Sequence, residues 1–313
     1  MAAGPARAIR TAVGAAGLVA VPVVLAVIPI APVAGALGIG LGRGLLVAAA
    51  VGLLGSVVLG PILVGRRVRR LPDADLDDRP AAFVEYRVDE LADEVGVDAP
   101  DVTVVRADAA NIAVTDGYRG SQMVVSTRLL SLSAADRDAA LRHALIRLRR
   151  REALFTTAML PALVVVETMA LLATLLVGRR ADRSPADRRV NRIHGYEPER
   201  ERIPPPVYTL AGLLLWLLLL PAWIPAVVGD RLFIAGRRRA ADAAVARVGE
   251  TERDGLANAV EFAGDAAGAA DWPPLLDRLS LVSMADDETG RVRGSSRQEA
   301  RIRLARLRSK VTL

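Results

Sequence analysis

The chain has no cysteine, two histidines and one lysine, Lys310. Without cysteine there is no disulfide and no thiolate metal site, and the redox compartment leaves no trace. With His143 and His194 as the only imidazoles, metal sites built on histidine are severely limited. The basic charge is almost all arginine, the composition of a GC-rich coding sequence. Aromatic residues make up only 4% and do not interleave with basic residues into a stacking platform. Nucleic acid is therefore not an expected partner. There is no internal repeat.

What is present is apolar surface in long blocks. Of 313 residues, 52% are hydrophobic and 24% charged, with a mean hydropathy of +0.31. Such a mixture means apolar segments separated by charged ones. Residues 11–42 and 44–65 carry no charge at all. A helix needs about 20 apolar residues to cross a bilayer, so spans are expected near residues 11–30, 44–64, 154–177 and 207–228. Pro29 and Pro32 favour a turn between the first two. A cleaved signal peptide competes for the first span, but the apolar stretch is too long and a second follows it.

Arginines bracket the spans: Arg7 and Arg10, Arg66 to Arg70, Arg147 to Arg151, and Arg231 with Arg237 to Arg239. The preference of basic residues for the cytoplasmic side then places both termini and both soluble regions in the cytoplasm of a multi-pass cell-membrane protein. The loop of residues 178–206 also carries many arginines. It is either translocated against that preference or part of a shallow hairpin.

Four regions follow: a transmembrane hairpin (1–70), a soluble domain (71–153), a second hairpin with its loop (154–229) and a helical C-terminal part (230–313). In the soluble domain, residues 80–95 have helical apolar spacing, and 101–105 and 122–126 read as valine-rich strands. Ser133, with Asp136 three residues on, begins a helix that should run through His143 to about Glu152 and lead straight into the third span. Helices are also expected near 235–248, 252–267 and 297–307.

Several stretches, in order, are similar to the HtpX family of membrane zinc peptidases, relatives of the enzymes that trim prenylated proteins. Asn111-Ile-Ala-Val-Thr-Asp-Gly117 resembles the family's edge strand beside the substrate, and Val124 to Leu130 its next strand. Arg142-His-Ala-Leu-Ile-Arg147 lies where the family has Ala-His-Glu-x-x-His. Arg237-Arg-Arg-Ala-Ala-Asp242 lies where it has Arg-Glu-x-x-Ala-Asp, and Arg301 to Leu307 resembles its C-terminal Arg-Ile tail. The resemblance implies an α-helical integral membrane protein with a small α/β, zincin-like cytoplasmic domain of metallopeptidase type.

It also implies that the chemistry is lost. Two histidines four apart on a helix grip one zinc while the intervening glutamate activates water. Here His143 survives, Ala144 stands at the general base, Arg147 at the second histidine and Arg238 at the third ligand, four before Asp242. Arginine stays protonated and cannot be a ligand. No catalytic residue and no zinc are expected. Arg147 and Arg238 either form an anion pocket or pair with carboxylates, Asp242 being at helix spacing from Arg238.

Because the family's edge strand binds substrate through main-chain hydrogen bonds, Asn111, Ile112, Ala113 and Val114 are expected to bind extended peptide, unless the protein's own tail covers them. Glu167, within the third span, contacts another span, a lipid or a partner, or is held protonated by a neighbour. The expected function is a pseudopeptidase that binds or regulates unfolded membrane proteins or an active paralogue. The alternatives are an active zinc endopeptidase in membrane-protein quality control, and a scaffold that binds no peptide.

Overall fold

The computed structural model describes residues 5–72, 74, 78–178, 205–266, 271–284 and 296–309. The loop of residues 178–206, with His194, falls almost wholly outside them. Four helices are long and apolar enough to cross a membrane: α1 (Pro5–Ala36), α2 (Leu41–Val68), α5 (Glu152–Gly178) and α6 (Pro205–Gly229). Between α2 and α5 lie α3 (Asp78–Val95), strands β1 (Asp101–Val105), β2 (Ile112–Gly117) and β3 (Gly120–Ser126), a 3-10 turn (Thr127–Ser131) and α4 (Ala134–Arg149). After α6 come a π-helical turn (Asp230–Ile234), α7 (Ala235–Val245), α8 (Glu250–Asp265), a 3-10 turn (Pro274–Leu279) and α9 (Ser296–Arg308).

Two expectations about element ends are corrected. Pro29 and Pro32 lie inside α1 rather than in a turn; proline is tolerated within a spanning helix whose neighbours re-satisfy the freed carbonyls. The chain turns instead after Ala36, where Gly38 takes φ 69°, a conformation open to glycine. Nor does α4 lead straight into α5. It stops at Arg149, and Arg151 adopts φ 54°. That left-handed residue redirects the chain, so Glu152 starts a separate helix.

In the membrane part, α1 packs on α2 and α6, and α5 on both α2 and α6. Small residues permit close approach. A Cβ on Gly60 would lie 2.6 Å from the Ala158 carbonyl oxygen, and one on Gly17 would lie 2.8 Å from that of Pro225. The Ser56 hydroxyl donates to the Ala158 carbonyl at 2.7 Å.

Outside these four helices lies a three-stranded sheet, order β1-β3-β2, with β1 parallel and β2 antiparallel to β3. Val104 and Ile112 both pair with Val125 in β3. Tyr118 and Arg119 form the two-residue hairpin turn between β2 and β3. α4 starts as its capping residues dictate: the Ser133 hydroxyl accepts from the Asp136 amide at 3.2 Å. Its second half, His143 to Leu148, is buried throughout, packed among the sheet, α3, α7 and α8.

The hairpin is joined to the membrane helix by one hydrogen bond. Pro61 has no amide hydrogen, so the carbonyl of Val57, four residues earlier, loses its helical donor. The Tyr118 hydroxyl supplies one, at 2.9 Å.

Candidate functional site

The residues singled out in α4 and α7 come together. His143 is fully buried, and its Nε2 lies 3.2 Å from Oδ1 of Asp242, 99 positions later. Neither imidazole nitrogen makes a well-aligned hydrogen bond. Burial pushes the His143 pKa below its ordinary value, against the opposing pull of Asp242, so the ring is neutral at pH 7. Arg147 and Arg238, each 3% exposed, complete the cluster.

Asp242 takes its main partner from α9. Arg303 forks onto it, Nε to Oδ2 at 2.9 Å and Nη2 to Oδ1 at 2.7 Å. Burial alone would lower the Arg303 pKa; the paired Asp242 outweighs it and the net shift is upward. The helix spacing of Arg238 and Asp242 had suggested that these two pair. Arg238 instead donates to Glu299 at 3.2 Å and to the Asp277 carbonyl at 2.6 Å. Burial would raise the Glu299 pKa, but Arg238 and Arg303 draw it below the usual range.

Arg147 has no carboxylate within ion-pair distance among the described residues. It donates to backbone carbonyls: Leu279 at 2.6 Å, Ser280 at 3.2 Å and Arg278 at 3.2 Å. Burial, reinforced by the charge of Arg238, pushes its pKa down to about 9, still well above neutral. Of the two alternatives, an anion pocket or pairing with carboxylates, Arg238 takes the second through Glu299, and both guanidiniums also hold main-chain oxygens.

These carbonyls belong to one segment, and that segment lies on β2. Ser280 bridges to Ala113 in antiparallel fashion, and the Leu281 amide donates to the Ile112 carbonyl at 2.8 Å. Asn111 clasps the next residue. Its Nδ2 donates to the Val282 carbonyl at 2.7 Å, while its Oδ1 accepts from the Val282 amide at 3.3 Å and from the Ile112 amide at 3.0 Å. Asn111, Ile112, Ala113 and Val114 are at most 1% exposed. The open edge expected there is therefore taken by residues 280–282, for the reason an edge strand is costly to leave bare. Asp277 folds the segment back on itself, accepting from the Ser283 hydroxyl at 2.5 Å and the Met284 amide.

The same segment reaches the membrane helices. Arg278, 2% exposed, binds Glu167 in α5 at 2.7 Å and Asp230 after α6 at 2.9 Å. This ion pair to the segment after α8 was not among the roles considered for Glu167. Neither Arg278 nor Arg303 was singled out in the sequence as a site residue. The only available signal was their position among apolar residues, which an arginine-rich chain dilutes.

The donor set does not fit a zinc of the kind that family holds. Among the described residues no three His, Cys, Asp or Glu side chains converge; His143 and Asp242 offer two donors, and three guanidiniums repel a dication. Comparison with known proteins finds no family model, no curated protein and no solved structure that matches the chain.

Proposed function

We propose that this chain is a catalytically silent membrane protein of the HtpX type. The expected zinc site has become an ionic lock, and the peptide edge carries the protein's own segment. The observation that supports the reading is the convergence of two separately matched stretches, one carrying His143 and Arg147 and the other Arg238 and Asp242, in one buried cluster beside an edge strand. Metal-ligand positions of a peptidase would meet in just this way, across two helices distant in sequence. Ala144 supplies no base, so even a metal introduced from outside would lack its proton acceptor.

In this reading the protein binds or regulates, with unfolded membrane proteins or an active paralogous peptidase as clients and the soluble parts on the cytoplasmic side of the cell membrane. An extended peptide must displace residues 280–282 to add to β2. The covered edge favours a second reading, a membrane scaffold that binds no peptide.

Two measurements test these readings. Elemental analysis of gently purified protein is expected to find no stoichiometric zinc; about one zinc per chain, lost on His143→Ala, would overturn the pseudopeptidase reading. Photo-crosslinking of an extended peptide library compares wild type with Leu281→Pro, which loosens the covering segment because it removes the amide that donates to the Ile112 carbonyl and restricts the residue before it. Greater capture by the variant supports a displaceable cover. No capture by either supports the scaffold.

A further inference from the structure

A cavity of about 310 Å³ lies where the β2–β3 hairpin meets the end of α2, and none of the buried cluster's residues lines it. One wall is the α2 face from Pro61 to Arg69; the other is the hairpin from Thr115 to Gln122. Arg66 and Arg69 line it from the helix and Arg119 from the hairpin turn. None of these three has an ion pair or side-chain hydrogen bond among the described residues. Asp116 is the one acidic group in the lining, so the lining side chains carry three positive charges and one negative, a net +2.

The position of this charge is unusual. Tyr118 pins the hairpin tip to the carbonyl of Val57, about four turns before Arg70 along a spanning helix. The cavity begins beside Pro61 and Ile62 and continues outward into an apolar α2 surface, where Leu59, Ile62 and Leu63 are 51, 37 and 49% exposed. Those side chains need an apolar cover, and acyl chains provide one. Its polar end is then at headgroup level, where arginines meet phosphate. A soluble anion would need the arginines but not the apolar approach.

We propose that this cavity is a binding site for a bilayer phospholipid of net negative charge. Arg66, Arg69 and Arg119 hold the phosphodiester, Asp116 accepts from a headgroup hydroxyl, and the acyl chains lie along α2. Guanidinium forks suit phosphate oxygens, and the net +2 favours an anionic headgroup over a zwitterionic one. The site owes nothing to the pseudopeptidase reading and stands if that reading fails.

The test is native mass spectrometry of the delipidated full-length protein in detergent. It is titrated with phosphatidylglycerol, with phosphatidylcholine of the same acyl chains, and with phosphatidylglycerol in the presence of millimolar inorganic phosphate. Phosphatidylglycerol should bind about tenfold more tightly than phosphatidylcholine, and Arg119→Glu should abolish most of that preference. Arg119→Lys should restore part of it. The turn residue Arg119 is exposed, so the variants should melt with the wild type; Arg69→Gln probes the same site from the helix. Equal retention of both lipids, or a preference unchanged in Arg119→Glu and Arg69→Gln, would overturn the proposal. Competition by inorganic phosphate would also overturn it, by making the site one for a soluble anion.

Discussion

Arg303→Met tests whether the ionic lock carries the C-terminal part of the soluble domain. Arg303 is 2% exposed and Asp242 5%, and the two meet through a fork of 2.9 and 2.7 Å. Methionine keeps much of the volume and removes the charge. It strands a buried carboxylate and takes a donor from the Leu281 carbonyl, to which Arg303 Nη1 also binds. Removing one partner of a buried pair costs about 3–5 kcal/mol. With about 2–4 °C per kcal/mol for a domain of this size, the melting temperature should fall by roughly 6–20 °C. Asp242→Leu should cost a similar amount, because it strands the guanidinium. The double variant should recover most of the loss, since apolar packing often replaces a buried pair at little cost. Thermal denaturation followed by size-exclusion chromatography in one detergent measures all four proteins at one heating rate. Single variants within about 1 kcal/mol of wild type would refute the reasoning, because that is the worth of an exposed pair. A double variant as unstable as either single would refute it too.

Four further outcomes are expected. His143 is held neutral by burial, so its folded pKa lies below the unfolded value of about 6.5. Its contribution is whole above that pH and is lost as the pH falls below about 6.5 toward the folded value; wild type should therefore lose more stability than His143→Gln between pH 7 and 5, in paired melts. Gly60→Val should push α2 off α5, since the new Cβ would sit 2.6 Å from a carbonyl oxygen; single cysteines at positions 56 and 159, in a chain with no others, should then crosslink less. Arg278→Met removes the guanidinium that pairs with Glu167 and Asp230; it should lower the melting temperature as Arg303→Met does and also speed proteolysis between residues 271 and 284. Cysteines at exposed Ser131 and Ser309 should react with an impermeant label only from the cytoplasmic side; Ser126 and Ser280, both fully buried, are unsuitable probes.

Much of the frame was legible because its signals are local. The spans follow from length and missing charge, β1 and β3 from valine runs, and α4 from the Ser133 and Asp136 pair, whereas β2 was expected only through the resemblance. The meeting of His143 and Asp242 was legible only through resemblance, since no local rule joins residues 99 positions apart. Partner choice was illegible. Spacing on α7 pointed Arg238 at Asp242, but helix neighbours compete with every guanidinium the fold delivers, and Arg303 arrives from α9 with a better fork. The cover on β2 was weighed but had no sequence mark. One antiparallel bridge and two flanking hydrogen bonds need no alternating pattern, so 280–282 do not read as a strand. The break at Arg151 was equally silent, because nothing in a run of arginines says which residue takes the left-handed conformation.

The cover and the arginines explain each other. Arg147, Arg238 and Arg303 bring three positive charges into the cluster; Asp242 and Glu299 return two, and His143 is neutral. The balance comes from oriented carbonyls: Arg278, Leu279 and Ser280 toward Arg147, Asp277 toward Arg238, Leu281 toward Arg303. All five belong to the segment that covers β2. Were that segment to lift, the guanidiniums would lose their acceptors while still largely enclosed, a costly state. Three buried guanidiniums therefore demand a main chain laid over the cluster. A competing peptide must bring more than a complementary edge. It must carry carbonyls or carboxylates to the same three guanidiniums, so acidic extended peptides should displace the cover at lower concentration than neutral ones of equal length. Equal potency of the two in the crosslinking assay would show that the arginines stay with their own segment while β2 opens, and would uncouple the lock from the edge.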